Sequence, residues 1–195
     1  AYVGEAPWHR LGTPLQGAAT AEEMFAASGL GWNVVLEPVF VKHNGDIVAV
    51  EGYKATIRDT DRRALGVVGS HYRPIQNSEM FAFAEALLQA SQGKVVYETA
   101  GSLRNGQIVW TLANLGENQV VDDTMVNYLI LHSSHDGSKP FGGKLTTTRV
   151  VCMNTLSLTQ SLSIGTDLVI QSSVISDQSS VNRIDTLSAP LEIQS

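Results

Sequence analysis

The stretch Leu65-Gly-Val-Val-Gly-Ser-His-Tyr-Arg-Pro-Ile-Gln-Asn-Ser-Glu-Met-Phe-Ala-Phe-Ala-Glu-Ala-Leu-Leu88 decides the fold. Its β-branched, Gly-containing start, Leu65 to Ser70, is too short for a helix and suits a buried strand. Arg73-Pro74 then ends regular pairing, because proline lacks an N–H and holds its predecessor extended. Asn77 or Ser78 is the expected helix cap, and Glu79 lies in the first turn, where the helix dipole favours a negative charge. Met80, Phe83, Ala84, Leu87 and Leu88 follow helical spacing and predict one apolar face, with Gly93 as the stop.

Upstream, Asn44-Gly45 is the strongest hairpin signal in the chain, since both residues accept the positive φ of a type I′ turn. It joins a strand from Trp32 to Lys42, bulged or at an edge because of Pro38, to a return strand from Asp46 to Arg58. Asp59-Thr-Asp-Arg62 turns into the third strand. Thr20-Ala-Glu-Glu23 matches a capping box and predicts a short helix to Ser28, closed by Gly29. Residues 1–19 contain Pro7-Trp8-His9-Arg10-Leu11-Gly12-Thr13-Pro14 and read as an irregular arm that docks through Trp8 and Leu11.

Downstream, Lys94–Leu103 and Gln107–Asn114 read as strands joined around Asn105-Gly106, and Thr124–His132 as an apolar strand. Ser133–Gly143 reads as a loop, Lys144–Cys152 as a strand, Asn154–Ser161 as a helix and Asp167–Ile175 as a last strand-like run. The expected class is α+β: a β-hairpin plus third strand and long helix, followed by a second, mostly antiparallel β-region. Residues 1–162 are expected to form one α+β domain and 163–195, rich in Ser, Gln and Asp, an extended C-terminal arm or tail.

Composition narrows the function. The 195 residues are 43% hydrophobic and 16% charged, which is globular and poor in charge. A chain of this length buries roughly 70% of its unfolded surface and needs no disulfide or metal for stability. Cys152, the single cysteine, excludes an intramolecular disulfide and a four-cysteine zinc site. No run approaches the ~18 apolar residues of a membrane helix, so no membrane partner and a cytoplasmic location are expected. A start at Ala1 reads as a trimmed or fragmentary chain.

The net charge of −6 counts against a bulk electrostatic nucleic-acid binder. Yet eight of the thirteen basic residues fall in two windows, Lys54, Arg58, Arg62, Arg63 and Arg73, then Lys139, Lys144 and Arg149. Lys54, Thr56 and Arg58 alternate onto one strand face, and basic side chains near an aromatic such as Tyr72 suit single-stranded nucleic acid. The plainer reading pairs these arginines with Asp59 and Asp61. Lys144 to Thr155 offers threonines and Arg149 on a strand, able to hold phosphates without reading bases. His132, His135 and Asp136 are ligand types that zinc or manganese accepts, but they leave a strand for a loop, and hydrogen bonding within that loop is the plainer reading. There is no phosphate loop, dinucleotide fingerprint or strained serine elbow, and no cofactor is expected. Gly66 and Gly69 read as sites of close backbone packing.

Pro7-Trp-His-Arg-Leu-Gly-Thr13, Gly66-Val-Val-Gly-Ser-His-Tyr-Arg-Pro-Ile-Gln-Asn77, Ser133-Ser-His-Asp-Gly-Ser138 and Arg149-Val-Val-Cys-Met-Asn-Thr-Leu156 together resemble a family of phage- and plasmid-related proteins catalogued as a domain of unknown function. The resemblance spans about residues 5 to 160 and implies mobile-element DNA biology. A looser likeness of architecture, hairpin, third strand and long helix, is to single-strand annealing recombinases, which hold single-stranded DNA in a basic groove as rings or filaments. The expectation is a non-catalytic, homo-oligomeric protein that binds and anneals single-stranded DNA. Lys54, Arg58, Arg62, Arg63, Arg73, Lys144 and Arg149 would sit on phosphates and Tyr72 on a base. The rivals are a metal-dependent hydrolase using His132, His135 and Asp136, and a structural or host-protein-binding assembly module.

Overall fold

The computed structural model describes residues 1–3, 13–17, 19–90, 96–120, 123–147 and 167–169. It is dominated by strands, with two α-helices, so the α+β expectation holds in a sheet-rich form. Tyr2–Val3 (β1) and Pro14–Leu15 (β2) pair in parallel. Ala21–Ser28 (α1) begins at Thr20 with the predicted reciprocal capping box to Glu23, and ends on Gly29 at φ 72°.

Val34–His43 (β3) and Asp46–Arg58 (β4) form the predicted hairpin, with Asn44 at φ 49° and Gly45 at φ 97° in the turn. The register shifts between Pro38 and Phe40, where proline cannot donate to the ladder. Ala64–Gly69 (β5) adds to the other side of β4, giving a three-stranded sheet in the order β3-β4-β5. Its pairing reaches only Tyr53 to Ile57 of β4, so the rest of the hairpin extends past it.

Asn77–Ala90 (α2) follows. Its cap differs from expectation. The Glu79 carboxylate accepts the Gln76 N–H at 2.7 Å, while the Gln76 carbonyl accepts from Met80 N, making Gln76 the capping residue. Asn77 is drawn into tertiary bonds instead.

Val96–Leu103 (β6), the Arg104–Gly106 turn, Ile108–Val120 (β7), Asp123–Ser134 (β8), Gly142–Thr146 (β9) and Asp167–Val169 (β10) follow among the described residues. They build a seven-stranded sheet in the order β10-β9-β8-β7-β6-β1-β2, antiparallel apart from β1 with β2. Ser133 and Ser134 belong to β8, so the loop is shorter than the sequence implied.

Strand alternation splits this sheet into two apolar faces. One carries Tyr97, Ala100, Val109, Ala113, Leu129 and Leu131 and packs with Met24 of α1, Met80, Phe81 and Ala84 of α2, and Trp32, Val34 and Leu65 of the smaller sheet. The other groups Ile108, Trp110, Leu112, Tyr128 and Ile130. Among the described residues no helix is long and apolar enough to cross a membrane. Trp8 and Leu11 of the arm, Gly93, Arg149, Cys152, the Asn154–Ser161 helix, the division at 162 and the chain beyond Val169 lie outside the described residues.

Candidate functional site

The crossing from β5 to α2 and the loop after β8 are far apart in sequence and meet in the core. Ile75, Gln76 and Asn77 pin the crossing there. Ile75 is buried in the main apolar cluster. Gln76 pairs with the start of β3 as another strand would, its Oε1 accepting from Val34 N at 2.8 Å and its Nε2 donating to Val34 O at 3.0 Å. Asn77, 1% exposed, donates from Nδ2 to the carbonyls of Leu30 at 2.9 Å and Trp32 at 3.1 Å.

With its nitrogen spent, the Asn77 amide presents only Oδ1 to His135 Nε2, 2.9 Å away. Oδ1 is an acceptor, so Nε2 carries the proton and Nδ1 does not. Burial pushes the His135 pKa down to about 4; Asp136 opposes the shift and Arg58 adds to it. The imidazole is therefore neutral at pH 7. Its ring meets Trp32 edge-on, with centroids 5.3 Å apart.

The neighbouring residues fix this loop. His135 N donates to Gln107 O at 2.7 Å, and Gln107 Nε2 donates to Leu65 O at 2.8 Å. Tyr72 Oη donates to Ser134 O at 2.7 Å; burial, with the Asp136 charge, raises its pKa to about 12. Asp136 Oδ1 accepts from Ser138 N at 2.9 Å. Burial pushes the Asp136 carboxyl up, but hydrogen bonds from Ser138 and Ser134 outweigh it and leave the pKa lowered. A Cβ at Gly66 would lie 2.6 Å from Asp136 Cα, which is the close backbone packing expected there. At Gly69 nothing lies within 4 Å, so that reading fails for the second glycine.

Trp32 links the core to the surface. The Arg58 guanidinium lies 4.5 Å from its ring centroid, a cation–π contact. Arg58 Nη2 also donates to Asn105 O, and Nη1 lies 3.5 Å from Asp61 Oδ2. Arg58 thus ties the β4–β5 turn to the Arg104–Gly106 turn. Asp61 accepts from Arg63 N at 3.1 Å and faces the Arg63 guanidinium at 3.8 Å, while both Asp59 oxygens accept from Asn33. Four guanidinium groups, Arg58, Arg62, Arg63 and Arg104, belong to this end against two carboxylates, Asp59 and Asp61.

Arg62 and Arg104 are exposed and hold φ of 56° and 49°. Side chains rarely adopt this region, and asparagine or glycine would occupy it at less cost. Sequence reasoning missed Arg104, whose only signal was its place beside the Asn105-Gly106 turn.

A family model described as Domain of unknown function (DUF932) matches residues 64–169. The chain belongs to this family. The DUF932 match begins at β5 and takes in the Gly66–Asn77 crossing and the Ser133–Ser138 loop, the two segments locked together by Asn77 and His135. No curated protein and no solved structure matches the chain.

The expected site residues of this DUF932 chain separate. Arg62, Arg63 and Arg73 are exposed. Lys54, Thr56 and Arg58 do share a face, but it turns inward: Thr56 is fully buried with its Oγ1 on Gly66 O, and Lys54 stands opposite Pro38 and buried Val68. Arg58 is committed to Trp32, Asn105 and Asp61, and the Tyr72 hydroxyl to Ser134, so neither is a free contact. Lys144 is 5% exposed and stands across from Asp167 in the β9–β10 register, which corrects its placement in an open groove. Arg149 lies outside the described residues. Among the described residues no three His, Cys, Asp or Glu side chains are grouped to hold a metal. His132, on β8, is thus not drawn together with His135 and Asp136, and His135 Nε2 is taken by Asn77.

Proposed function

We propose that this chain is a single-stranded-DNA-binding protein of a phage or plasmid that promotes annealing as an oligomer, without catalysing a bond change. The DNA backbone runs over the end of the smaller sheet, where Arg62, Arg63 and Arg104 hold phosphates, and Arg73 extends the contact. The observation that carries this reading is the placement of two exposed arginines at left-handed turn positions. Neither guanidinium is needed to build its turn, and both turns are locked to each other through Arg58. Backbone strain retained at an exposed charged residue points to use of that charge. The order β3-β4-β5-α2 supports the architectural likeness to annealing recombinases, which by itself carries no function.

The test is fluorescence anisotropy with labelled single-stranded and duplex oligonucleotides at about 50 and 200 mM salt, because phosphate contacts release counterions. Salt-sensitive binding that favours the single strand is expected. Equal affinity at both salt concentrations, or no binding, would overturn the reading.

A further inference from the structure

Strand alternation divides the three-stranded sheet into two faces. Lys54, Thr56 and Arg58 of β4 take the inner one with Val34 of β3 and Val68 of β5, and Thr56, Val34 and Val68 are buried there. The alternate residues build the outer face. Tyr53 stands opposite Gly69, Ala55 between Glu37 and Val67, and Ile57 opposite Val35. Val35, Tyr53 and Val67 are exposed on this face, Tyr53 to 55%.

No side chain of a neighbouring strand is in register with the Tyr53 ring. On the β5 side its partner is Gly69, and nothing lies within 4 Å of the place a Cβ would take there. On the β3 side the pairing breaks between Pro38 and Phe40, so no residue of β3 is paired with Tyr53. The next position of β4 on the outer face is Ala55, a single methyl group.

Cations stand at both ends of this face. Arg62 and Arg63 lead into β5, and His71 and Arg73 follow it, all four exposed. Arg63 and Gly69 are six residues apart, about 20 Å of strand. Ser70 N donates to Gly52 O at 2.9 Å, which holds the His71 end beside Tyr53. The carboxylate in register on the face, Glu37, lies on β3, away from β5.

We propose that Tyr53 is a base-stacking platform. A single strand of DNA crosses the outer face along β5, one base lies on the Tyr53 ring, and phosphates sit on Arg62 and Arg63 at one end and Arg73 at the other. An exposed ring between cations suits this occupant, because every base has a π-face and the cations take the backbone. A duplex keeps its bases paired and stacked on each other, whereas a single strand can lay one on a side chain. A protein partner fits less well, since three partly exposed side chains fall far short of the roughly 800 Å² that one side of a standard interface buries. Tyr53 also fills the role expected of Tyr72, whose hydroxyl is bound to Ser134 O. The proposal rests on the single-strand reading above and names the residue that holds a base.

The experiment compares wild type, Tyr53→Ala and Tyr53→Phe by fluorescence anisotropy, with circular dichroism to verify folding. The probes are a labelled oligothymidylate and a strand of abasic sites with the same number of phosphates. Tyr53→Ala is expected to weaken oligothymidylate binding roughly fivefold to a hundredfold. The salt slope should stay the same, because no phosphate contact is lost. Tyr53→Phe, which keeps a ring, should retain most of the affinity, and Tyr53→Ala should bind the abasic strand as the wild type does. Unaltered oligothymidylate binding by Tyr53→Ala overturns the platform alone, as does an equal loss on the abasic strand or a Tyr53→Phe protein as weak as Tyr53→Ala. Salt-independent wild-type binding that still needs the Tyr53 ring overturns the phosphate reading and leaves the platform standing. A wild type that binds neither probe overturns both.

Discussion

Asn77 and His135, 58 positions apart in the chain, meet through one buried hydrogen bond of 2.9 Å, Nε2–H to Oδ1. Asn77 closes the α2 start onto the segment before β3 at the same time, through Leu30 O and Trp32 O. Asn77→Ala would strand two carbonyls and an imidazole N–H in the core, a larger cost than the lost bonds themselves. A loss of about 2–4 kcal/mol in urea unfolding is expected. A double-mutant cycle with His135→Ala should show a coupling of roughly 1–3 kcal/mol; a coupling near zero would mean that the two residues act independently.

The same histidine makes stability depend on pH. Its folded pKa of about 4 lies below the ordinary 6.5, so between those values the unfolded chain binds the extra proton and stability rises with pH. The contribution is complete above pH 6.5 and is lost as the pH falls through 4. Its upper size is about 3 kcal/mol, at 1.36 kcal/mol per pKa unit. Urea midpoints of wild type and His135→Gln should therefore converge between pH 6.5 and 4. Asp59, Glu23 and Asp136, whose pKa values are lowered, lose their contribution as the pH falls below their ordinary values, reaching only the acid end of this window, and they are common to both proteins, so the difference between the two curves reports the histidine. Parallel pH curves for the two proteins would remove His135 as the source.

Local chemistry was legible where it is self-contained. The Thr20–Glu23 box and the Asn44-Gly45 turn use only neighbouring atoms, and both form as read. Asn77 was misread as a cap because its real acceptors, Leu30 O and Trp32 O, arrive from 45 or more residues away. Alternation put Lys54, Thr56 and Arg58 on one face correctly, but period-two spacing cannot say which face meets the core. Here the buried Thr56 and the Trp32 ring beneath Arg58 decide it. Lys144 followed the usual rule that lysine is exposed, and a strand from far downstream, β10, stands beside it instead.

Gly66 and Gly69 should respond differently to one added methyl group. A Cβ at Gly66 would press on Asp136 at 2.6 Å from its Cα and 2.9 Å from its Cβ, so backbone must shift. Gly66→Ala is expected to cost about 1–3 kcal/mol. At Gly69 the space is open, and Gly69→Ala should be neutral or stabilising by about 0.5 kcal/mol, since alanine has less chain entropy to lose. Thermal unfolding of both variants checks the contrast, and equal effects would contradict the contact between β5 and the loop after β8.

Arg62 and Arg104 should trade stability against binding. Both backbones lie in the left-handed region, where a side chain is strained and glycine is not. Arg62→Gly and Arg104→Gly are therefore expected to leave unfolding stability unchanged or raise it by up to about 1 kcal/mol. If each guanidinium holds one phosphate, each change should also reduce the slope of log affinity against log salt by about 0.7 for a single strand. Arg58→Ala gives the opposite pattern, because its guanidinium covers Trp32 and bridges to Asn105. It should lower stability by about 1–2 kcal/mol and disturb binding only by loosening the two turns. Destabilised Arg62→Gly and Arg104→Gly proteins with an unchanged salt slope would show that these arginines serve the fold and leave the phosphate reading without its support.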